Sequence, residues 1–226
     1  MRGNAWRLIV KTTYKQTRFW NNLEKIRFDG VGKYGIPELK PQQYAGLEGI
    51  EWIGFNYAST CRNRLNKGVH FYLDDYQFDR IWFDINRYCA LLSDYKVSLT
   101  PDWSIYRDWP DAVNIFNHYK KHYFGAYLQH YGFTVIPSVN WGGKETFDWC
   151  FDGEPVNSCV AVSSVGTQMG QESKSGFMYG WDAMIERLNP TTILFWGSVP
   201  NECKGNIIKI DEFQKRLKDK ANISGE

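Results

Sequence analysis

The sequence lacks most of the marks by which enzymes declare a chemistry. Its five cysteines are odd in number, scattered, and include no C-x-x-C pair. That argues against a disulfide framework and for reduced thiols in a cytosolic protein. No Gly-x-Gly-x-x-Gly follows an apolar run, so no dinucleotide cofactor is expected, and the Gly-x-x-x-x-Gly-Lys-Ser/Thr order of a P-loop is absent. There is no Gly-x-Ser-x-Gly elbow and no Ser/His/Asp set to argue. No apolar run approaches twenty residues and the mean hydropathy is −0.49, which excludes a transmembrane helix. Met1–Val10 has no long apolar core, so no signal peptide is expected. Solenoid repeats and low-complexity tracts are also missing.

What is present is aromatic. Ten Trp and fourteen Tyr stand in a chain of 226 residues. They are large core residues in a chain poor in Leu, or the stacking walls of a ligand cleft of the kind that holds sugars or bases. Net charge is only +2 but uneven. Basic residues outnumber acidic ones nine to three over Met1–Lys40, while Pro41–Cys203 carries twelve basic and eighteen acidic residues. An acidic body that approaches phosphates needs a cation, from a metal or from the basic arm.

One phrase recurs: a short apolar run, a polar residue where it stops, then a helix-like stretch. The runs are Val69–Leu73, Val97–Leu99, Phe133–Val139, Val160–Val162 and Ile193–Trp196, with Ile50–Phe55 as a possible sixth. Helical spacing of Phe78, Ile81, Trp82, Ile85, Tyr88, Cys89 and Leu92 predicts a helix over Phe78–Tyr95. A long helix is expected to begin with Asp108 as N-cap and Pro110 in its first turn, and to end at Tyr131 with Gly132 as C′ glycine. Gly142–Asn157 holds a short helix at best, Gly166–Ser175 is a polar loop, and Gly176–Leu188 is a helix. This alternation implies parallel β/α units. Five or six units are too few for an eight-fold barrel. The expected fold is an incomplete or modified TIM-like barrel, with an open doubly wound parallel sheet as the alternative. A basic N-terminal arm (1–40), a β/α core (41–203) and a basic C-terminal tail (204–226) complete the division.

In such folds the loops at the carboxyl ends of strands build the ligand site. The strand ends here are Asp74-Asp75, Thr100-Pro101-Asp102, Asn140-Trp141, Ser163-Ser164 and Trp196-Gly197. Asp74, Asp75 and Asp102 are the candidate catalytic residues and the candidate ligands of a divalent cation, Mg or Mn. Side-chain alternation should turn one of the adjacent pair towards the site and leave the other to cap the next helix. The loop from Ser163 and Ser164 to Gly166 offers free N–H groups to an anion. Asn140, Trp141, Trp196, Gly197, Asp148 and Asp152 are further candidate ligand-binding residues, the two acids belonging to an aromatic-rich insert, Phe147–Glu154. His118 and His122 stand at i, i+4, a spacing that can chelate a metal. No Glu follows His118, however, and the adjacent Lys120 and Lys121 suggest a solvated face.

Several of these phrases together resemble a family catalogued as a domain of unknown function, DUF4417, of bacterial chromosomes, plasmids and phages. The segments that carry the resemblance are Asp79–Trp82, Thr100–Pro110, Val135–Trp141, Phe147–Gly153, Val160–Gly166 and Trp196-Gly197. It spans about Tyr34 to Gly197. It implies a mobile-element or bacterial cytosolic setting and brings no catalytic residues with it.

The leading expectation is a cytosolic protein with a carboxylate-lined cleft that binds or hydrolyses a small anionic, phosphorylated or nucleotide-like ligand. A two-carboxylate glycoside hydrolase is a second enzymatic reading. A third is non-enzymatic: a phage or plasmid factor binding a host protein, or nucleic acid through the basic arm. No membrane partner is expected, and the oligomeric state is left open.

Overall fold

The computed structural model describes residues 20–165 and 171–210. The architecture is mixed α/β with parallel sheets. β1 (Gly30–Val31) and β2 (Ile36–Pro37) form a small antiparallel hairpin. β3 (Glu51–Gly54), β4 (Lys67–His70), β5 (Val97–Leu99) and β6 (Val135–Ile136) form one parallel sheet, and β7 (Cys159–Ser163), β8 (Thr192–Trp196) and β9 (Ile207–Ile210) a second. A parallel bridge between Ser138 and Ala161 links the two. Val139 N–H donates to Ala161 O and Ala161 N–H to Pro137 O, both at 2.8 Å.

The strands therefore follow one another in sequence order. A doubly wound sheet reverses its order at a switch point, and none occurs here. No closed barrel is shown either: among the described residues β9 makes no ladder with β3. All six expected runs contain a strand. Ile207–Ile210, within the expected tail, is a further strand paired with β8.

The helix expected over Phe78–Tyr95 is broken at Asp84 (φ −145°) into α1 (Arg80–Phe83) and α2 (Ile85–Leu92). Its periodicity still holds, since Phe78, Ile81, Trp82, Ile85, Tyr88 and Leu92 are all buried. The long helix α3 (Asp111–His130) starts later than expected. Pro110 takes the N-cap place with an extended ψ of 135°, and Asp108 is exposed and outside the helix. At the other end Gly132 adopts φ +81°. Gly132 N–H donates to Gln129 O and Phe133 N–H to Leu128 O, which is the paired closure that a left-handed C′ residue makes possible. α4 (Gln171–Leu188) begins five residues before Gly176.

Part of the arm is built into the core. Asn22 Nδ2 donates to Trp82 O at 2.8 Å, and the Tyr123 hydroxyl on α3 lies 2.7 Å from Asn22 O and 3.0 Å from Ile26 O. Lys40 exchanges two hydrogen bonds with the Gln129 amide. Residues 20–40 thus cover α3, whereas residues 1–19 of the arm lie outside the described residues.

Candidate functional site

Strand side chains alternate, and along β4 and the residues just after it this gives two faces. Val69 and Phe71 face one way, with Phe71 stacked 5.0 Å from Phe55 and 5.7 Å from Phe78. His70 and Tyr72 face the other, against Trp196 at the end of β8, at 5.6 and 4.9 Å between ring centroids. Trp52 of β3 closes edge-on to Trp196 at 5.4 Å. Around this aromatic group buried polar atoms lack a hydrogen-bond partner, His70 Nδ1, Asp102 Oδ1 and Trp196 Nε1, while the Tyr72 hydroxyl lies against Ser138. Buried polar groups are nearly always paired, so such a group demands an explanation.

Asp102 is the electrostatic centre. Burial drives its pKa up to about 7, the Lys121 ammonium opposes this, and the charges of Asp75 and Glu154 add to it. Burial also lowers His70 to about 4, so it is neutral at pH 7. Tyr72 is held well above its ordinary value by burial and then by the Asp102 charge. The result is a carboxyl group that titrates near neutrality close to the Tyr72 phenol.

The loop that carries Asp102 is pinned from several sides. Ser104 donates to the Asp75 carboxylate through its N–H (3.1 Å) and its hydroxyl (2.9 Å). Asn117 Nδ2 donates to Ser104 O and Asn140 Nδ2 to Trp103 O, each at 2.8 Å. Asn114 bonds both the N–H and the carbonyl of Tyr106. Trp103 is buried, its Nε1–H donating to Asp79. Thr100 is clipped to Ser138 by two further bonds.

The expected residues divide. Asp75, Asp102, Asn140 and Trp196 come to this region. Asp74 does not: it is exposed, with only a long 3.5 Å contact from Gln77 Nε2. Asp74, Asp75 and Asp102 therefore do not gather as a three-carboxylate cation site. Among the described residues the one set of three His, Cys, Asp or Glu whose ligand atoms lie within 4.8 Å of one another is His118, His122 and Glu154. The chain has left β4 by this point: Asp74 precedes the helical turn Asp75–Gln77 and faces solvent, and Asp75 is spent on Ser104. Asp148 is exposed. Asp152 is half-buried, and its pKa is raised by burial against the charges of His122 and Arg187. Trp141 packs on Phe177 at 5.4 Å, over Gly180 of α4. The Ser163 hydroxyl accepts from Val165 N–H and the Ser164 hydroxyl donates to Ser198 O. Gly197 has φ +90° and lies against Ser164, and Gly166 falls outside the described residues.

The burial that sequence reasoning missed lies on α3. Lys121 and His122 are fully buried, and Lys120 nearly so, which overturns the solvated face. Lys121 Nζ donates to Glu154 Oε1 (2.8 Å), Ser138 O (3.0 Å) and Asn140 Oδ1 (3.1 Å), using all three ammonium donors. His122 contacts Pro37 O through Nδ1 (3.0 Å) and Glu154 Oε1 through Nε2 (3.1 Å). His118 Nε2 lies 2.9 Å from Asp152 O, and its Nδ1 has no partner. Burial and the charges of His122 and Lys121 push the His118 pKa well below its ordinary value. Burial raises Glu154, but Lys121 and His122 outweigh it and keep the carboxylate ionised. This His/His/Glu group could hold a metal ion. Two imidazoles and one carboxylate suit zinc or a similar ion better than Mg or Mn, which prefer all-oxygen sites.

Comparison with known proteins agrees with the family resemblance. The model of the family described as "Domain of unknown function (DUF4417)" matches residues 28–214. The chain is similar to the Gene 1 protein of Mycobacterium phage L5, 32% identical over 175 residues, which are 77% of this chain and 76% of that protein. It is also similar to the Gene 1 protein of Mycobacterium phage D29, 31% identical over 192 residues, 84% of this chain and 70% of that protein. No solved structure matches it. No helix among the described residues is long and apolar enough to cross a membrane. The chain belongs to the DUF4417 family, an uncharacterised domain with phage-encoded relatives.

Proposed function

We propose that this member of the DUF4417 family binds a small nucleoside-like ligand at the carboxyl ends of β4, β5 and β8, and that Asp102 moves a proton on it in a hydrolytic step. The observation that carries the reading is the set of unpartnered buried atoms, Asp102 Oδ1, Trp196 Nε1 and His70 Nδ1, about the Tyr72–Trp196 ring pair, together with an Asp102 carboxyl titrating at about 7. A ligand that supplies their missing hydrogen bonds removes a penalty of about 1–3 kcal/mol per atom. The Trp196 and Tyr72 rings offer an apolar face to a planar ligand. A carboxyl with a pKa near the working pH is suited to act as acid in one step and base in the next.

The support for a ring-shaped polar ligand is stronger than for a phosphate. The Lys121 ammonium is spent on three acceptors, and the Ser163 and Ser164 hydroxyls are engaged within the protein. A two-carboxylate glycosidase has less support, because the acids electrostatically nearest Asp102 are held by Ser104 and by Lys121. The test is calorimetry of the full chain against nucleosides, nucleoside monophosphates and monosaccharides, with chromatography for cleavage products. Nucleoside binding that Asp102→Asn weakens at least tenfold supports the reading. Binding of none of these ligands, or equal binding by the variant, removes it.

The nucleic-acid reading of the basic arm rests on charge alone, nine basic to three acidic residues over 1–40. Its measure is the salt slope of binding to DNA and RNA, which deletion of residues 1–19 should flatten.

A further inference from the structure

We infer that His118, His122 and Glu154 form a binding site for one divalent transition metal of the zinc class, tying α3 to the turn before β7. This inference stands apart from the proposed role of Asp102 and does not depend on it.

The argument begins with the ring nitrogens that face away from the centre. His118 Nε2 meets the Asp152 carbonyl at 2.9 Å, and His122 Nδ1 meets the Pro37 carbonyl at 3.0 Å. A carbonyl can only accept, so each of these nitrogens carries the proton. The lone pairs are thereby left on His118 Nδ1 and His122 Nε2. A backbone carbonyl fixing the far nitrogen is the arrangement that metal-binding histidines characteristically use. The second observation is what those lone pairs meet. His118 Nδ1 and Glu154 Oε2 are buried and have no partner at all. His122 Nε2 lies 3.1 Å from Glu154 Oε1, a lone pair against a carboxylate oxygen. That contact is favourable when a proton or a metal cation stands between the two atoms. Tetrahedral zinc with bonds of ~2.0–2.1 Å sets its ligand atoms roughly 3.3 Å apart. One ligand atom of each residue lies within 4.8 Å of the others, so small side-chain shifts complete the set.

The surroundings are shaped for this turn. Gly153, between Asp152 and Glu154, has φ +76°, and a Cβ there would stand 2.7 Å from His122 Nδ1 and 2.6 Å from Pro37 O. The opposing feature is Lys121, whose ammonium binds the same carboxylate. It holds Oε1 and is satisfied by Ser138 O and Asn140 Oδ1, which leaves Oε2 for the ion. The competing occupant is a proton on His122, which satisfies that one contact but leaves His118 Nδ1 and Glu154 Oε2 bare.

The test uses the full chain, stripped with a chelator and titrated with Co(II) and Zn(II). One equivalent of Co(II) should bring visible d–d absorption of a low-coordinate site, Zn(II) should displace it, and each ion should raise Tm. His118→Phe, which keeps the ring volume, should lose the absorption and the Tm shift while retaining the circular dichroism of the wild type. Absence of absorption and of a Tm shift in the folded wild-type chain overturns the site and leaves the proton as occupant. Absorption that persists in His118→Phe places the ion elsewhere and overturns it equally. Should His118→Phe fail to fold, His122→Phe gives the same comparison, and the wild-type titration decides by itself.

Discussion

The two long helices of this chain are built on opposite plans. α4 buries Phe177, Trp181, Met184 and Leu188, an apolar stripe at steps of four, three and four. The first half of α3 buries Asn114, Asn117, His118, Lys121 and His122 while Val113 and Phe116 are each 43% exposed, and apolar burial returns only in its second half, with Tyr123, Phe124, Tyr127 and Leu128. The first helix gains its place from the transfer of apolar surface out of water. The second keeps polar groups inside only because each meets a partner: Tyr106, Ser104, Asp152, Ser138, Asn140, Glu154 and Pro37. Those partners are the strand-end loops around the candidate site. α4 supports the fold, and α3 also positions the loop that carries Asp102.

The sharpest break of this contrast is Glu154→Ala. It strands Lys121, whose side chain is 1% exposed, and His122 without their counter-charge. Breaking a buried pair from one side costs about 3–5 kcal/mol. The expected result is a chain that is largely unfolded or lowered in Tm by roughly 6–20 °C, read by thermal circular dichroism. Trp181→Ala on α4 removes a buried ring and falls in a similar range, about 3–5 kcal/mol. What separates the helices is the rescue: Lys121→Met combined with Glu154→Leu should recover much of the loss, because both charges leave together.

A smaller effect is expected from Gly180→Ala. A Cβ at Gly180 would stand 2.1 Å from Trp141 Nε1 and 2.3 Å from its Cε2. An indole cannot give way as the tip of a flexible side chain can. The cost of such overpacking is about 1–3 kcal/mol, well above the helix-propensity gain of Ala over Gly. Urea unfolding measures it. If the loss is small and Trp141 becomes solvent-exposed by fluorescence, Trp141 is free to move and regains its candidacy as a ligand-stacking residue.

How much of this was legible in the sequence follows from the same contrast. The strands were visible because runs such as Ile193–Trp196 are β-branched and aromatic and stop at polar residues. The α2 and α4 faces were visible because apolar periodicity is the signal such reading uses. α3 defeated it, since a buried polar stripe has the spacing of an amphipathic helix with the chemistry of a solvated one. A usable sign was there: Asn114, His118, Lys121 and Gly125 repeat at helical spacing while Val113 and Phe116 lie off that stripe. β9 was missed because Ile207–Ile210 is a four-residue apolar segment in a basic stretch. At the strand ends Asp102 was placed beside the buried polar group. The other candidates were drawn by position in the chain alone, which cannot say that Asp74 turns outward or that Trp141 settles on Gly180.

The Asp102 carboxyl gives the next prediction. Its folded pKa of about 7 stands above the ordinary 3.8. Between these values the folded chain holds a proton that the unfolded chain has released, so stability falls as pH rises through that window. Asp102→Asn removes the titration. The variant should match the wild type near pH 4 and exceed its stability at pH 8, by an amount on the order of 1 kcal/mol or more. Paired denaturant titrations at the two pH values measure this. A variant less stable than wild type at pH 8 would mean that the ionised carboxylate is supported by Lys121 more strongly than burial opposes it.

Asp74 supplies the smallest effect and the cleanest control. It shares a strand end with Asp75 yet is exposed, while Asp75 holds Ser104 through two hydrogen bonds. It stands at the N-cap place of the Asp75–Gln77 turn but makes no side-chain capping bond. An exposed side chain without such a bond contributes within about 0.5 kcal/mol. Asp74→Ala should leave stability, nucleoside binding and Co(II) absorption at wild-type levels. Asp75→Ala should loosen the Ser104 loop and weaken whatever Asp102 binds, without touching the His118–His122–Glu154 group. If Asp74→Ala proves the more damaging of the two, the inward and outward assignment of these neighbouring acids is reversed. The polar site would then lie on the other side of the β4 strand end, away from Tyr72 and Trp196.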